Sequence, residues 1–150
     1  MAEHFRALSA IFPLIIRQQG DAAHILLHRR QNTGYEDGKW DIAGSGHVDA
    51  GETARDATVR ECAEELGIAV QTQDLTFVHL SHRQHPDRTY YDIYFTVNAY
   101  TGTPTIQEPD KCAELAWFAL DDLPADMIAC RRADVQHYLA QEPYSEKIEI

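Results

Sequence analysis

Gly46 to Ile68 reads GHVDAGETARDATVRECAEELGI, and its residues fall into two sets at helical spacing. Glu61, Glu64 and Glu65 stand at i, i+3 and i+4, so a helix carries all three carboxylates on one face. Val59, Cys62, Ala63 and Leu66 stand at i, i+3, i+4 and i+7, the spacing of a buried stripe. At about 3.6 residues per turn the two sets lie on roughly opposite sides. The ends agree with a helix. Thr53-x-x-Asp56 has the form of a capping box, and Gly67 is placed to take the left-handed position past the last turn. The stretch therefore predicts a helix that packs one side on a core and turns a cluster of negative charge outward.

Three glutamates at this spacing repel one another, and in the sequence only Arg55 and Arg60 stand near enough to offset them. A divalent cation that prefers oxygen donors resolves the repulsion. The residues ahead of the helix sharpen this reading. Gly46, five residues, Glu52, seven residues, then Arg60-Glu61-Cys62-x-Glu64-Glu65-x-Gly67-Ile68 resembles the Nudix box at every defined position. Cys62 is the loose fit, standing where that family usually has an aliphatic residue.

The resemblance implies an α/β fold, a Nudix-type α/β/α sandwich with a mixed β-sheet, as one domain over residues 1–150. It implies hydrolysis of a nucleoside diphosphate linked to another group, with Mg²⁺ as cofactor and Mn²⁺ as its substitute. By the same resemblance Glu61, Glu64 and Glu65 hold the metal and one of them acts as general base, Glu61 and Glu64 being the catalytic candidates. Arg60 holds the carboxylates in place by pairing with Glu64 or Glu52. The family usually shows Pro-Gly-Gly before the box, where this chain has Ala43-Gly44-Ser45-Gly46, so the carbonyl lent to the metal falls to Ser45. An arginine at the end of the second strand helps hold the nucleotide in relatives that remove oxidised nucleotides, which points to Arg29. A further acid is often recruited from a later loop, which points to Glu108. Isopentenyl diphosphate isomerases share the fold and use a cysteine. Cys62 belongs to the apolar stripe, where a thiol acts as a small hydrophobe.

The rest of the chain reads as strands around this helix. Arg6 to Gln18 is apolar and predicts a strand, with Pro13 hinting at an edge or bulge. Gly20-Asp21 is a turn, and Ala22 to Arg30 a second strand in a hairpin with the first. Gln31 to Lys39 is a polar loop placed to cover a site, and Trp40 to Ala43 a short strand entering the box. Leu75 to Arg83 predicts a strand whose His79 and His82 face opposite sides, which argues against a metal site built from His79, His82 and His85. Arg88 to Tyr100 alternates, with Tyr91, Ile93, Phe95 and Val97 toward a core and Tyr90, Asp92, Tyr94 and Thr96 toward a cleft or a helix. Glu114 to Ala119 predicts a short strand. Arg131 to Gln141 predicts a C-terminal helix with a stripe of Val135, Tyr138 and Leu139.

Composition limits the function classes. Thirteen Lys+Arg against 24 Asp+Glu give a formal net charge of −11, a poor surface for a nucleic-acid polymer. A small polyanion can still bind through metal ions and a few local arginines. No apolar run is long enough to span a membrane, and the first residues lack a signal-peptide layout. Cys62, Cys112 and Cys130 are an odd, widely spaced set, as expected of reduced thiols in the cytoplasm. The expected partner is a small-molecule nucleotide; a homodimer is left open. The leading expectation is a hydrolase of nucleoside triphosphates, oxidised ones included. Nucleotide sugars, ADP-ribose and dinucleoside polyphosphates are the alternative substrates, and a non-catalytic ligand sensor of the same fold is the alternative class.

Overall fold

The computed structural model describes residues 3–149. Strands β1 (Leu8–Leu14) and β2 (Ile16–Gln19) come from one apolar run that changes sheets at the buried Ile15. Then follow β3 (Ala22–Arg30), β4 (Trp40–Ile42) and β5 (Gly46–His47). Helix α1 (Ala54–Glu61) passes into a π-helical turn at Cys62–Leu66, and β6 (Leu75–Gln84), β7 (Thr89–Val97) and β8 (Cys112–Ala119) succeed it. The chain closes with α2 (Ala129–Leu139) and β9 (Tyr144–Ile148).

The strands build two sheets where the sequence suggested one. The first is mixed, in the order β5-β1-β7-β6-β9, with β1–β7 and β6–β9 parallel. The second is antiparallel and centred on β3, which pairs with β2, β4 and β8. The expected hairpin is β2–β3, closed at Gly20-Asp21 with Gly20 at φ 65°. Pro13 sits beyond the two residues of β1 that β5 reaches, so its missing N–H costs no ladder bond on that side.

The pleat of β1 divides the core. Ile11 joins Phe95, Val97, Ala57, Cys62 and Leu66 on the α1 side; Phe12 and Leu14 join Tyr94 and Val135 on the α2 side. Helices thus cover both faces, as the sandwich requires. Tyr91 departs from its expected core position and is exposed, stacked on His82 at 4.5 Å between ring centroids. On the other face of β7 the cleft-or-helix expectation holds at both ends. Tyr90 lines a pocket and the fully buried Tyr94 donates to Asp134 of α2.

The buried face of α2 keeps Val135 and, in part, Tyr138 of the predicted stripe. Leu139 is exposed, and Arg131 and Asp134 are buried beside Val135. Strand β9 was not legible because YSEKI is polar and short; its register comes from lying parallel to β6, with Lys147 pairing to buried Asp134. His79 is buried with its ring bonded to the Glu142 carbonyl and Ser145, so it serves packing.

Candidate active site

The capping box at Thr53 and Asp56 forms as predicted, and Gly67 takes the left-handed conformation at φ 67°. Between them the last turn widens. Residues Ala57, Thr58, Cys62 and Leu66 are the buried ones, the last three four apart, and Ala63 is not among them. Ala63 is exposed, which corrects the predicted stripe. The wider π turn, with its i→i+5 bonding, fits that spacing of four.

The same widening splits the carboxylate face. Glu61 and Glu65 enter a cavity of about 590 Å³, together with Ser45, Gly46 and Glu108. Glu64 does not line it: its side chain is 54% exposed and meets Arg60 at 3.3 Å. Arg60 is the organiser. Its Nε and Nη2 donate to both Glu52 oxygens at 3.1 and 2.7 Å, its Nη1 to Glu61 at 2.7 Å, and its Nη2 also to the His47 carbonyl at 3.0 Å. A guanidinium fork shared this way fixes Glu61 against the loop that precedes the helix.

The electrostatics of the two inner glutamates are opposed to ionisation. Burial, then the charges of Glu61 and Glu108, push the Glu65 carboxyl up to about 9. Burial raises Glu61 as well, against the pull of Arg60. Gly46 leaves the room that the Glu61 carboxylate fills, since a Cβ there would stand 2.3 Å from Glu61 Cδ. Ser45 has no positive φ, so a side chain is tolerated where the family pattern has glycine. Crowded, partly buried oxygen donors are a set that fits a hard divalent cation. Among the described residues, no three His, Cys, Asp or Glu side chains already converge on one point.

The opposite walls are cationic and aromatic. Arg30, Arg83, Arg88 and Lys111 line the cavity with Tyr35 and Tyr90. Tyr90 is held by His47 Nε2 at 3.1 Å from its hydroxyl and carries the Arg83 guanidinium 4.6 Å from its ring centre. Arg29, expected at the substrate, is not among the lining residues. It lies over Trp40 and meets Glu114 and Asp126 at 3.5 and 3.4 Å, while Arg30 faces the cavity. Adjacent residues of a strand point to opposite faces, so the choice between the two arginines was one of parity. In the structure His28 and Arg30, two apart, both line the cavity.

Cys62 is fully buried, and burial, then the nearby Glu65 and Glu61 charges, push its thiol up to about 12. Such a thiol stays protonated and acts as packing. Cys62→Ala should cost about 1 kcal/mol of stability through the small cavity it leaves. Turnover per folded molecule should stay within about twofold, since the group takes no part in proton or phosphoryl transfer. Denaturant melts beside steady-state rates check this. A folded Cys62→Ala protein without turnover would give the thiol a chemical role.

The family model described as NUDIX domain matches residues 6–139. A Caenorhabditis elegans nudix protein is 34% identical over 81% of this chain and 31% of its own length. The ADP-ribose pyrophosphatase of Methanocaldococcus jannaschii is 32% identical over 67% of this chain and 57% of its own length. The chain thus spans less than two thirds of both of these relatives. The nucleoside triphosphatase NudI of Escherichia fergusonii is 30% identical over 79% of this chain and 86% of its own length. Among solved structures, the MutT NUDIX hydrolase of Burkholderia pseudomallei superposes with a TM-score of 0.76 and 30% identity, covering 88% of this chain and 98% of that one.

Proposed function

The chain belongs to the Nudix family, and from that premise we propose that it is a Mg²⁺-dependent pyrophosphohydrolase of nucleoside triphosphates, oxidised ones included. The observation that carries the proposal is one cavity with carboxylates Glu61, Glu65 and Glu108 together with guanidinium groups and tyrosines. The first suits a metal-bound polyphosphate, and the second suits the rest of a nucleotide. The 30% identity to a nucleoside triphosphatase over most of both chains supports that substrate class.

We assign Glu61 and Glu65, with the Ser45 carbonyl, to the divalent ion, Mn²⁺ serving as a substitute for Mg²⁺. A bound divalent ion supplies charge neutralisation on the phosphates and a water made acidic enough to attack. Arg60 positions Glu61, and Glu64 completes the Arg60 cluster at the cavity's rim, where the family resemblance also makes it a candidate ligand or base. Glu108 adds a carboxylate to the same wall. Three thiols free of disulfides among the described residues support a reducing, cytoplasmic location. Among these residues no helix is long and apolar enough to cross a membrane.

A second reading, hydrolysis of ADP-ribose, is favoured by the 32% identity to an ADP-ribose pyrophosphatase. A panel of nucleoside triphosphates, their oxidised forms, ADP-ribose and nucleotide sugars, run with Mg²⁺ and with a chelator, tests both. Turnover of a triphosphate to nucleoside monophosphate and pyrophosphate, abolished by the chelator, is the expected result. Preference for ADP-ribose would install the second reading. Thermal stabilisation by a nucleotide without any turnover would mark a ligand sensor instead.

A further inference from the structure

Beneath the cavity lies a buried group of charges to which the chemistry above gives no role. Arg131 of α2 has 4% of its side chain exposed, and Asp41 and Asp92 beside it have 4% and 0%. Arg131 Nη1 donates to Asp92 Oδ2 at 3.0 Å, and its Nε stands 3.5 Å from Asp41 Oδ1. Each aspartate also holds one cavity arginine. Asp41 Oδ2 accepts from Arg30 Nη1 at 3.0 Å, and Asp92 accepts from Arg83 Nε at 2.8 Å and Nη2 at 3.3 Å. Both arginines line the cavity, and among the described residues Arg131 is the one that pairs with both of their anchors.

Stability alone is a weak reason for this arrangement. Buried ion pairs are often no better for a core than apolar residues of the same volume. What apolar residues cannot do is hold two guanidinium groups at set angles from behind. A planar guanidinium reaches two carboxylates at once, whereas an ammonium is a single point of charge. Arg131 is itself fixed: its guanidinium carbon lies 3.8 Å from the Phe12 ring centre, and its Nη1 also donates to the Tyr94 hydroxyl at 3.0 Å.

We propose that Arg131 is a positioning residue, which through Asp41 and Asp92 sets Arg30 and Arg83 against the substrate. This rests on the reading of the cavity as the substrate site. The test is Arg131→Lys, which keeps the charge and loses the fork. By ¹⁵N NMR the guanidinium N–H groups that bond the two aspartates, Nη1 of Arg30 on Asp41 and Nε of Arg83 on Asp92, should exchange with water about tenfold faster than in the parent, while the backbone amides stay folded. KM for the best substrate of the panel should rise about tenfold with kcat within about threefold, as expected when ground-state and transition-state contacts loosen together. Adding Arg131→Lys to Arg83→Ala should raise KM by less than it does alone, because the two act through one anchor. Unchanged exchange, or unchanged KM in the folded variant, would overturn the proposal and leave a purely structural arginine. Should Arg131→Lys not fold, Asp92→Asn takes its place: faster exchange with a raised KM supports the proposal, and no change in either overturns it. If the parent turns over nothing in the panel, the hydrolase reading fails, and exchange alone then decides whether Arg131 sets the two arginines.

Discussion

Glu61→Gln and Glu65→Gln are each expected to lower turnover by about a hundredfold or more and to leave a folded protein. The scale is that of losing a metal ligand or general base from a transition state that concentrates charge. Glutamine keeps the volume and helix propensity of glutamate and removes only the anion. The folding side of the prediction comes from the site's own electrostatics. Folded Glu65 keeps its proton to about 9, whereas the unfolded chain releases it near 4.5. Between those values the folded state binds more protons, so without metal its stability falls as pH rises through the window, and the loss is complete above about 9. Glu65→Gln lacks that slope. Its metal-free melting temperature should draw above the parent's from pH 5 toward pH 9, and Mg²⁺ should raise the parent's melting point more than the variant's. Full activity in either variant, or unfolding of both without metal, would remove these glutamates from the ion.

Gly46→Ala should lower turnover by about a hundredfold with little change in melting temperature. The added Cβ would stand 2.3, 2.5 and 2.7 Å from Glu61 Cδ, Oε1 and Oε2. Those atoms are the far end of a flexible side chain, so the carboxylate gives way and β5 stays. The backbone at Gly46 has no positive φ, so alanine adds no strain of its own. Moving the carboxylate disturbs its 2.7 Å bond to Arg60. A displacement on the scale of 1 Å at reacting groups can cost about a hundredfold in rate. The effect should vanish in a Glu61→Gln background, where the displaced group has already lost its charge. A Gly46→Ala enzyme with parental kcat would show that Glu61 does its work from another position.

Local chemistry made the helix and its ends legible. Thr53, Asp56 and Gly67 act on backbone groups within a few residues, so their spacing alone predicts where α1 starts and where the π turn stops. The Gly20-Asp21 turn located β3, and alternation located β7, because the pleat repeats every second residue whatever lies across it. The box and the residues named beside it brought Glu61, Glu65, Ser45 and Glu108 together, and all four line one cavity.

Tertiary packing decided the rest, because each remaining choice depended on what stood on the far side. Arg29 and Arg30 are chemically identical neighbours; β4, β8 and the Asp126 segment took Arg29, and the cavity took Arg30. The π turn took Ala63 out of the buried stripe and left Glu64 at the rim, through one extra residue in a turn that no local pattern announces. Arg131 and Asp134 are charged residues outside the predicted apolar stripe, yet they are buried, because Asp92 of β7 and Lys147 of β9 come to pair with them. A charge goes inside only when its partner is already there, and that partner is a property of the fold.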